Sequence, residues 1–218
     1  MLNLFATLGA VAAIAVSPMG LALQSPQIET PALEADMATA LSASERSRIL
    51  ARASQALSKV TTARGTFEQL APDFTVTTGR FALSRPGKMR FDYDDPTPLV
   101  MVSDGATVAL QDSELETTDR VPLQSTPLAL LLDDQINFET DADILDVTRD
   151  QDRVGITLRD KSGEMDGTLT LLLMESNMDL TGWRTEDTGG NITSVMLTNV
   201  EYGKRLNPRL FVLKDYED

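Results

Sequence analysis

Two periodicities divide the chain. Ile49, Leu50, Ala53, Leu57 and Val60 recur at helical spacing and share one face. Glu45, Arg46, Arg48, Arg52 and Lys59 cover much of the remainder, which predicts an amphipathic helix of about five turns. Its start is marked by Ser42-Ala43-Ser44-Glu45, a capping box in which the Ser oxygen and the Glu carboxylate each satisfy an orphan backbone N–H. After Ala63 the period becomes two. Strands are expected over Ala63 to Leu70, Thr75 to Ser84, Lys88 to Asp94, Leu99 to Ser103, Thr107 to Asp112 and Leu115 to Val121. Asp104-Gly105 predicts a type I′ hairpin turn, with positive φ at both positions.

One interruption follows. Thr126-Pro127 before Leu128, Leu131 and Leu132 predicts a short helix with Pro at its first position. Strands then resume over Ile144 to Arg149, Arg153 to Asp160, Gly167 to Met174, Thr181 to Glu186 and Ile192 to Tyr202, with a final extended piece from Leu210 to Leu213. There is no βαβ alternation, which argues against a parallel doubly wound sheet. The expected class is mainly β (α+β). It is a single large curved antiparallel sheet, with an N-terminal amphipathic helix and a short central helix on one face.

The beginning of the chain has a different character. The first 28 residues carry no charged side chain, Leu2 to Val16 is an apolar run, and Gly20-Leu21-Ala22 offers small residues for cleavage. Residues 1–22 therefore read as a secretory signal peptide, residues 23–41 as a mobile linker and 42–218 as one domain. The n-region lacks Lys and Arg, so an uncleaved anchor is the competing reading.

Composition closes several functions. With 0 Cys and 0 His there is no disulfide, no thiolate nucleophile and no imidazole base. A net charge of −14 disfavours nucleic acid and anionic membrane surfaces. No Walker A, GxGxxG or Ser-x-x-Lys sequence occurs. Asp133, Asp134, Asp141, Asp143 and Asp146 lack the spacing of a calcium loop and read as a solvated acidic face. The carboxylate pair Asp92 and Asp94 shares a strand face, as acids on solvent-facing strands commonly do. No enzyme activity, cofactor or metal is expected.

The segment from Phe81 to Gly105 carries the most information. Alternation places Phe81, Leu83 and Arg85 on one face of a strand and Met89, Phe91 and Tyr93 on one face of the next. Those faces meet across the hairpin as an apolar wall. By pattern alone this wall is ordinary core, and Arg85 a solvated strand end. Arg80, Lys88 and Arg90, with Arg85, form a basic patch on an acidic protein.

Gly79-x-Phe-x-Leu-x-Arg-Pro-Gly-Lys-Met-Arg-Phe-Asp-Tyr93, Pro96 and Leu99-Val-Met-Val-Ser-Asp-Gly105 together resemble the outer-membrane lipoprotein carrier family, LolA. Gln111-Asp112, Val121-Pro-Leu123 and Ser125-Thr-Pro-Leu-Ala-Leu-Leu-Leu132 extend the resemblance, as does Gly65-Thr-Phe-Glu-Gln69 before it. The family fold is an unclosed half-barrel whose open side is covered by helices. The resemblance implies an acyl-chain cavity lined by Phe81, Leu83, Met89, Phe91, Tyr93, Met101, Leu128, Leu131 and Leu132. It also implies that Arg85 latches the lid by bonding helix carbonyls when the cavity is empty. The implied partners are acylated lipoproteins, an inner-membrane lipoprotein-releasing transporter and an outer-membrane receptor, met in the periplasm by a monomer. An alternative within the same fold is a sensor that binds a lipid or lipoprotein and acts on a regulator. This chain has Met89 and Phe91 where better-known members often carry tryptophan or larger aromatics, and its one tryptophan, Trp183, lies in the half where only strand rhythm matches.

Overall fold

In a computed structural model the described residues are 41–161 and 167–212. The expected signal peptide, and all of the expected linker but Leu41, lie outside them. The amphipathic helix, α1, spans Ala43–Ser58 and opens with the expected capping box: Ser42 Oγ accepts the Glu45 N–H, and the Glu45 carboxylate accepts the Ser42 N–H. Ile49, Ala53 and Leu57 are its buried residues. Val60 falls beyond its end, so the helix is shorter than the apolar spacing suggested.

Eleven strands follow. They are β1 (Thr62–Leu70), β2 (Val76–Ser84), β3 (Lys88–Tyr93), β4 (Leu99–Asp104), β5 (Thr107–Asp112), β6 (Thr117–Pro122), β7 (Ala142–Asp150), β8 (Arg153–Asp160), β9 (Thr168–Met174), β10 (Leu180–Glu186) and β11 (Ile192–Tyr202). All lie in one antiparallel sheet of order β6-β5-β4-β3-β2-β1-β11-β10-β9-β8-β7. Each half of the chain is thus a simple meander. The two meanders join at the centre, where the first strand pairs with the last. β6 and β7 remain unpaired with each other, so the sheet is not closed into a barrel. Irregularities in register between Arg64 and Thr66, Ile144 and Asp146, and Leu180 and Gly182 add local bend and twist.

Because β6 and β7 are opposite edges, the link between them must traverse the sheet. That link contains a 3-10 turn (Leu123–Ser125), α2 (Leu128–Leu132) and a short α3 (Phe138–Asp141) that periodicity did not reveal. Leu131, Leu132, Ile136 and Phe138 are buried in the same cluster as Leu57 of α1 and Phe67, Phe91 and Leu171 of the sheet. The apolar sides of α1 and of the link therefore cover one face of the sheet. Pro127 caps α2 rather than occupying its first turn.

Three other expectations need correction. Gly105 has φ 110° while Asp104 has no positive φ, so the β4–β5 turn is not type I′. The Asp104 carboxylate instead accepts the N–H groups of Ala106 and Thr107, which closes the turn without a second left-handed residue. β6 begins at Thr117, not Leu115, because Glu116 takes φ 54° in the preceding turn. The extended piece from Leu210 is a 3-10 turn over Pro208–Phe211, with Pro in its first turn and Asn207 as its cap; Leu213 lies outside the described residues.

Candidate functional site

The β2–β3 hairpin builds one wall of the concave face. Phe81 pairs with Phe91 and Leu83 with Met89, as strand alternation requires, and all four are buried. Phe91 is the hub. Its ring lies 4.7 Å from that of Phe67, 5.8 Å from Phe81 and 6.0 Å from Trp183.

Arg85 continues the inward side of β2 into the turn. Its Nε and Nη2 donate to the Leu131 carbonyl at 3.1 and 2.7 Å. Nη1 donates to Val60 O at 3.2 Å and also to Leu57 O. One guanidinium thereby ties the C-terminal ends of α1 and α2, whose last carbonyls have no partner within a helix. The Gly87 N–H adds a bond to Leu132 O at 2.9 Å. The turn itself is held from behind. Gly87 has φ +73°, and a Cβ there would lie 2.6 Å from the Cα of Gly105. Ser103 Oγ donates to Gly87 O at 2.6 Å. The two neighbouring turns pack backbone to backbone, which aims Arg85 at the helices.

Burial draws the Arg85 guanidinium down to about 10, while the negative charge of Asp133 opposes the change. It therefore stays protonated at neutral pH. Burial, with Asp179 nearby, pushes the Tyr202 phenol up to about 12, so that hydroxyl stays neutral. The cation sits where the carbonyl ends of α1 are most negative.

Among the described residues two separate hollows, rather than one cavity, open on the concave face. The first, of about 40 Å³, is lined by Leu57, Leu83, Arg85, Leu131, Met178 and Tyr202 among others. It lies at the sheet end that carries the β2–β3 turn. The second, of about 390 Å³, is lined by Gln69, Tyr93, Met101, Leu110, Val121 and Leu128 among others, and reaches across to β5 and β6. Met89, Phe91 and Trp183 line both and stand between them. The smaller hollow is filled by helix side chains and fits little beyond a water; the larger falls within the range of ligand pockets.

The residues expected to form one cavity are therefore divided. Phe81, Leu83 and Leu131 line the small hollow, Tyr93, Met101 and Leu128 the large one, and Met89 and Phe91 line both. Leu132 lines neither and is packed into the core at 1% exposure. The expected basic patch keeps only Arg80 and Lys88 as exposed cations. Arg85 turns inward, and Arg90 forms a two-oxygen contact with Asp92 at 2.9 Å from Nε and donates to Leu210 O. The Asp92 and Asp94 carboxylates are engaged by Arg90 and Thr78 respectively. Among the described residues no three acidic side chains gather as a metal site would require.

The opposite wall comes from residues to which no role was assigned from the sequence. Trp183, Met178, Leu197 and Val200 line the hollows from the C-terminal half. Their strands were legible, and alternation along β10 does place Trp183 and Thr185 on one face. What was missing was the β1–β11 pairing that brings this half against the first.

A profile of the family described as outer membrane lipoprotein carrier protein LolA matches residues 58–214. An outer-membrane lipoprotein carrier protein of Methylococcus capsulatus is 35% identical over 137 residues, covering 61% of this chain and 65% of that protein. One from Pseudomonas fluorescens is 32% identical over 180 residues, covering 75% of this chain and 82% of its own length. The chain thus spans just under two thirds of the first of these relatives and more of the second. Among solved structures, a LolA superfamily protein from Nitrosomonas europaea matches with TM-score 0.44 and 10% identity, over 76% of this chain and 98% of that one. The MucA/MucB complex of Pseudomonas aeruginosa matches with TM-score 0.42 and 14% identity, over 77% of this chain and 60% of that one. Likeness at these two levels bears on neither ligand nor partner.

Proposed function

The chain belongs to the outer membrane lipoprotein carrier family, and we propose that it carries acylated lipoproteins across the periplasm from the inner to the outer membrane. Loading would come from an inner-membrane lipoprotein-releasing transporter and delivery would be to an outer-membrane receptor, with the carrier acting as a monomer.

The physical need is plain. Each buried methylene is worth about 0.8 kcal/mol, so an acyl chain of ~16 carbons costs about 12 kcal/mol to keep in water. A lipoprotein with two or three such chains needs an apolar shelter to cross an aqueous space. That shelter must also release them. The observation that carries this reading is the Arg85 guanidinium bonded to carbonyls of Leu57, Val60 and Leu131, beneath helices that fill the apolar face. Cargo entering that end displaces Leu57 and Leu131 and breaks those bonds. The empty form therefore opposes loading, and the same cost favours handing cargo on. The walls suit a guest of variable shape, because leucine and methionine side chains with few fixed polar groups adapt easily.

Purification of the full chain from the periplasm, followed by mass spectrometry of bound material, tests the reading. Intact acylated proteins in the complex are the expected result. Free phospholipid alone would favour a lipid carrier or a sensor, and an empty cavity would count against both.

A further inference from the structure

The latch governs only half of the concave face. Arg85, Leu57 and Leu131 line the small hollow and do not line the large one. Between the two stand Met89, Phe91 and Trp183, which are buried at 1%, 5% and 6% exposure. The large hollow is already open to solvent in the closed form. Its lining is mostly apolar, from Met101, Val108, Leu110 and Leu128, with polar groups from Gln69, Tyr93, Thr185 and Thr193. Tyr93 Oη donates to Gln69 Oε1 at 2.9 Å, so this pair is oriented rather than loose. Asp119 is the one charged side chain lining it among the described residues.

We propose that the large hollow is a separate, pre-formed site for a single acyl chain under a zwitterionic head group, and that it fills without release of the Arg85 latch. This rests on the reading of the concave face as an acyl-chain surface and divides that surface into two sites filled in order. A single-chain amphiphile enters the hollow of about 390 Å³ with the helices in place. The first chain of a lipoprotein enters there too. Its second chain has no room until Leu57 and Leu131 leave the hollow of about 40 Å³, and only that step breaks the Arg85 bonds. The carboxylate of Asp119 and the net charge of −14 disfavour a carboxylate or phosphate monoester head and suit one that carries a cation.

The chain's only tryptophan, Trp183, lines both hollows and reports occupancy by its emission. The probes are lysophosphatidylcholine, below its micelle-forming concentration, and a diacylated lipopeptide. Wild-type protein should bind both saturably. Val121→Phe and Thr193→Phe, each of which fills the large hollow, should weaken lysophosphatidylcholine about tenfold, as displacement of about two buried methylenes would. Arg85→Leu should leave lysophosphatidylcholine affinity within about twofold while changing lipopeptide affinity about tenfold or more; its single-chain binding shows that this variant is folded. The inference is overturned if wild-type protein takes up the lipopeptide but no lysophosphatidylcholine. It is equally overturned if the filled variants bind the single chain normally, or if Arg85→Leu changes both ligands alike. Uptake of lysophosphatidylcholine with none of the lipopeptide would instead refute the carrier reading and leave this site standing.

Discussion

Replacing Arg85 with leucine should open the lid without unfolding the sheet. In the closed form the guanidinium serves three carbonyls, Leu57, Val60 and Leu131. At about 1.5 kcal/mol for each carbonyl bonded to a charged donor, the gross gain is about 4–5 kcal/mol. Against it stands the cost of burying the cation. A guanidinium drawn from 12.5 to about 10 has lost about 3 kcal/mol of solvation. The difference, about 1–2 kcal/mol, favours the closed form roughly tenfold. Leucine removes that gain and leaves the Val60 and Leu131 carbonyls facing an apolar side chain, each at a cost of about 1–3 kcal/mol unless water reaches them, while Leu57 O keeps the Val60 amide. Opening lets water in, so the lid equilibrium should move toward the open form by more than tenfold. Hydrogen exchange by mass spectrometry reads this directly. Peptides covering 57–60 and 128–133 should lose at least tenfold in protection, including the Val60 and Asp133 amides that now bond Leu57 O and Ala129 O. Peptides of β8 and β9, which hold Val154, Leu171 and Leu173 at 0–1% exposure, should not change. Equal loss everywhere would mean that Arg85 is merely structural, and unchanged protection at both helix ends would refute the latch.

The pH dependence of that equilibrium follows from the same group. The guanidinium binds its proton less tightly when buried at about 10 than when free at 12.5. Between these values the open form holds more protons, so rising pH favours closure. Below about pH 9 both forms are charged and lid protection should be flat; a transition near neutrality would show that another group controls it. Ser42→Ala removes the α1 cap and should cost about 1 kcal/mol in urea unfolding. Glu45, held below its ordinary range chiefly by the Ser42 hydroxyl, should add stability above pH 4.5 that disappears as acid titrates it through its lower folded value, and Ser42→Ala should reduce that dependence. Phe91→Ala removes the ring that meets Phe67, Phe81 and Trp183 and should cost about 3–5 kcal/mol in the same assay, a value under about 1 kcal/mol showing that the wall repacks. Gly87→Ala forces a side chain into positive φ and against Gly105, and should both destabilise by about 2 kcal/mol and loosen the lid; stability without lid loss would break the link between turn and latch.

Local chemistry was legible along the chain because it depends on neighbours in sequence. Ser42 and Glu45 announced the cap of α1, alternation from Phe81 to Tyr93 announced the inward wall, and the absence of βαβ spacing announced an antiparallel sheet. The same locality set the limits. Asp104-Gly105 satisfied a turn rule, but the carboxylate of Asp104 found the next two amides and made a second positive φ unnecessary. Arg85 read by pattern as a solvated strand end. Its burial depends on Leu131, 46 residues away, and on Leu57, 28 residues away. Trp183 gained its place only when β11 paired with β1 and set the C-terminal meander against the first. Alternation and caps, being properties of a few consecutive residues, could be read from the chain, and they set the apolar faces of α1, β2 and β3. Tertiary structure alone decided that the inward face is split into two hollows and that one cation ties two helices across the smaller. Those outcomes arise where elements remote in sequence meet, and no local period encodes the distance between them.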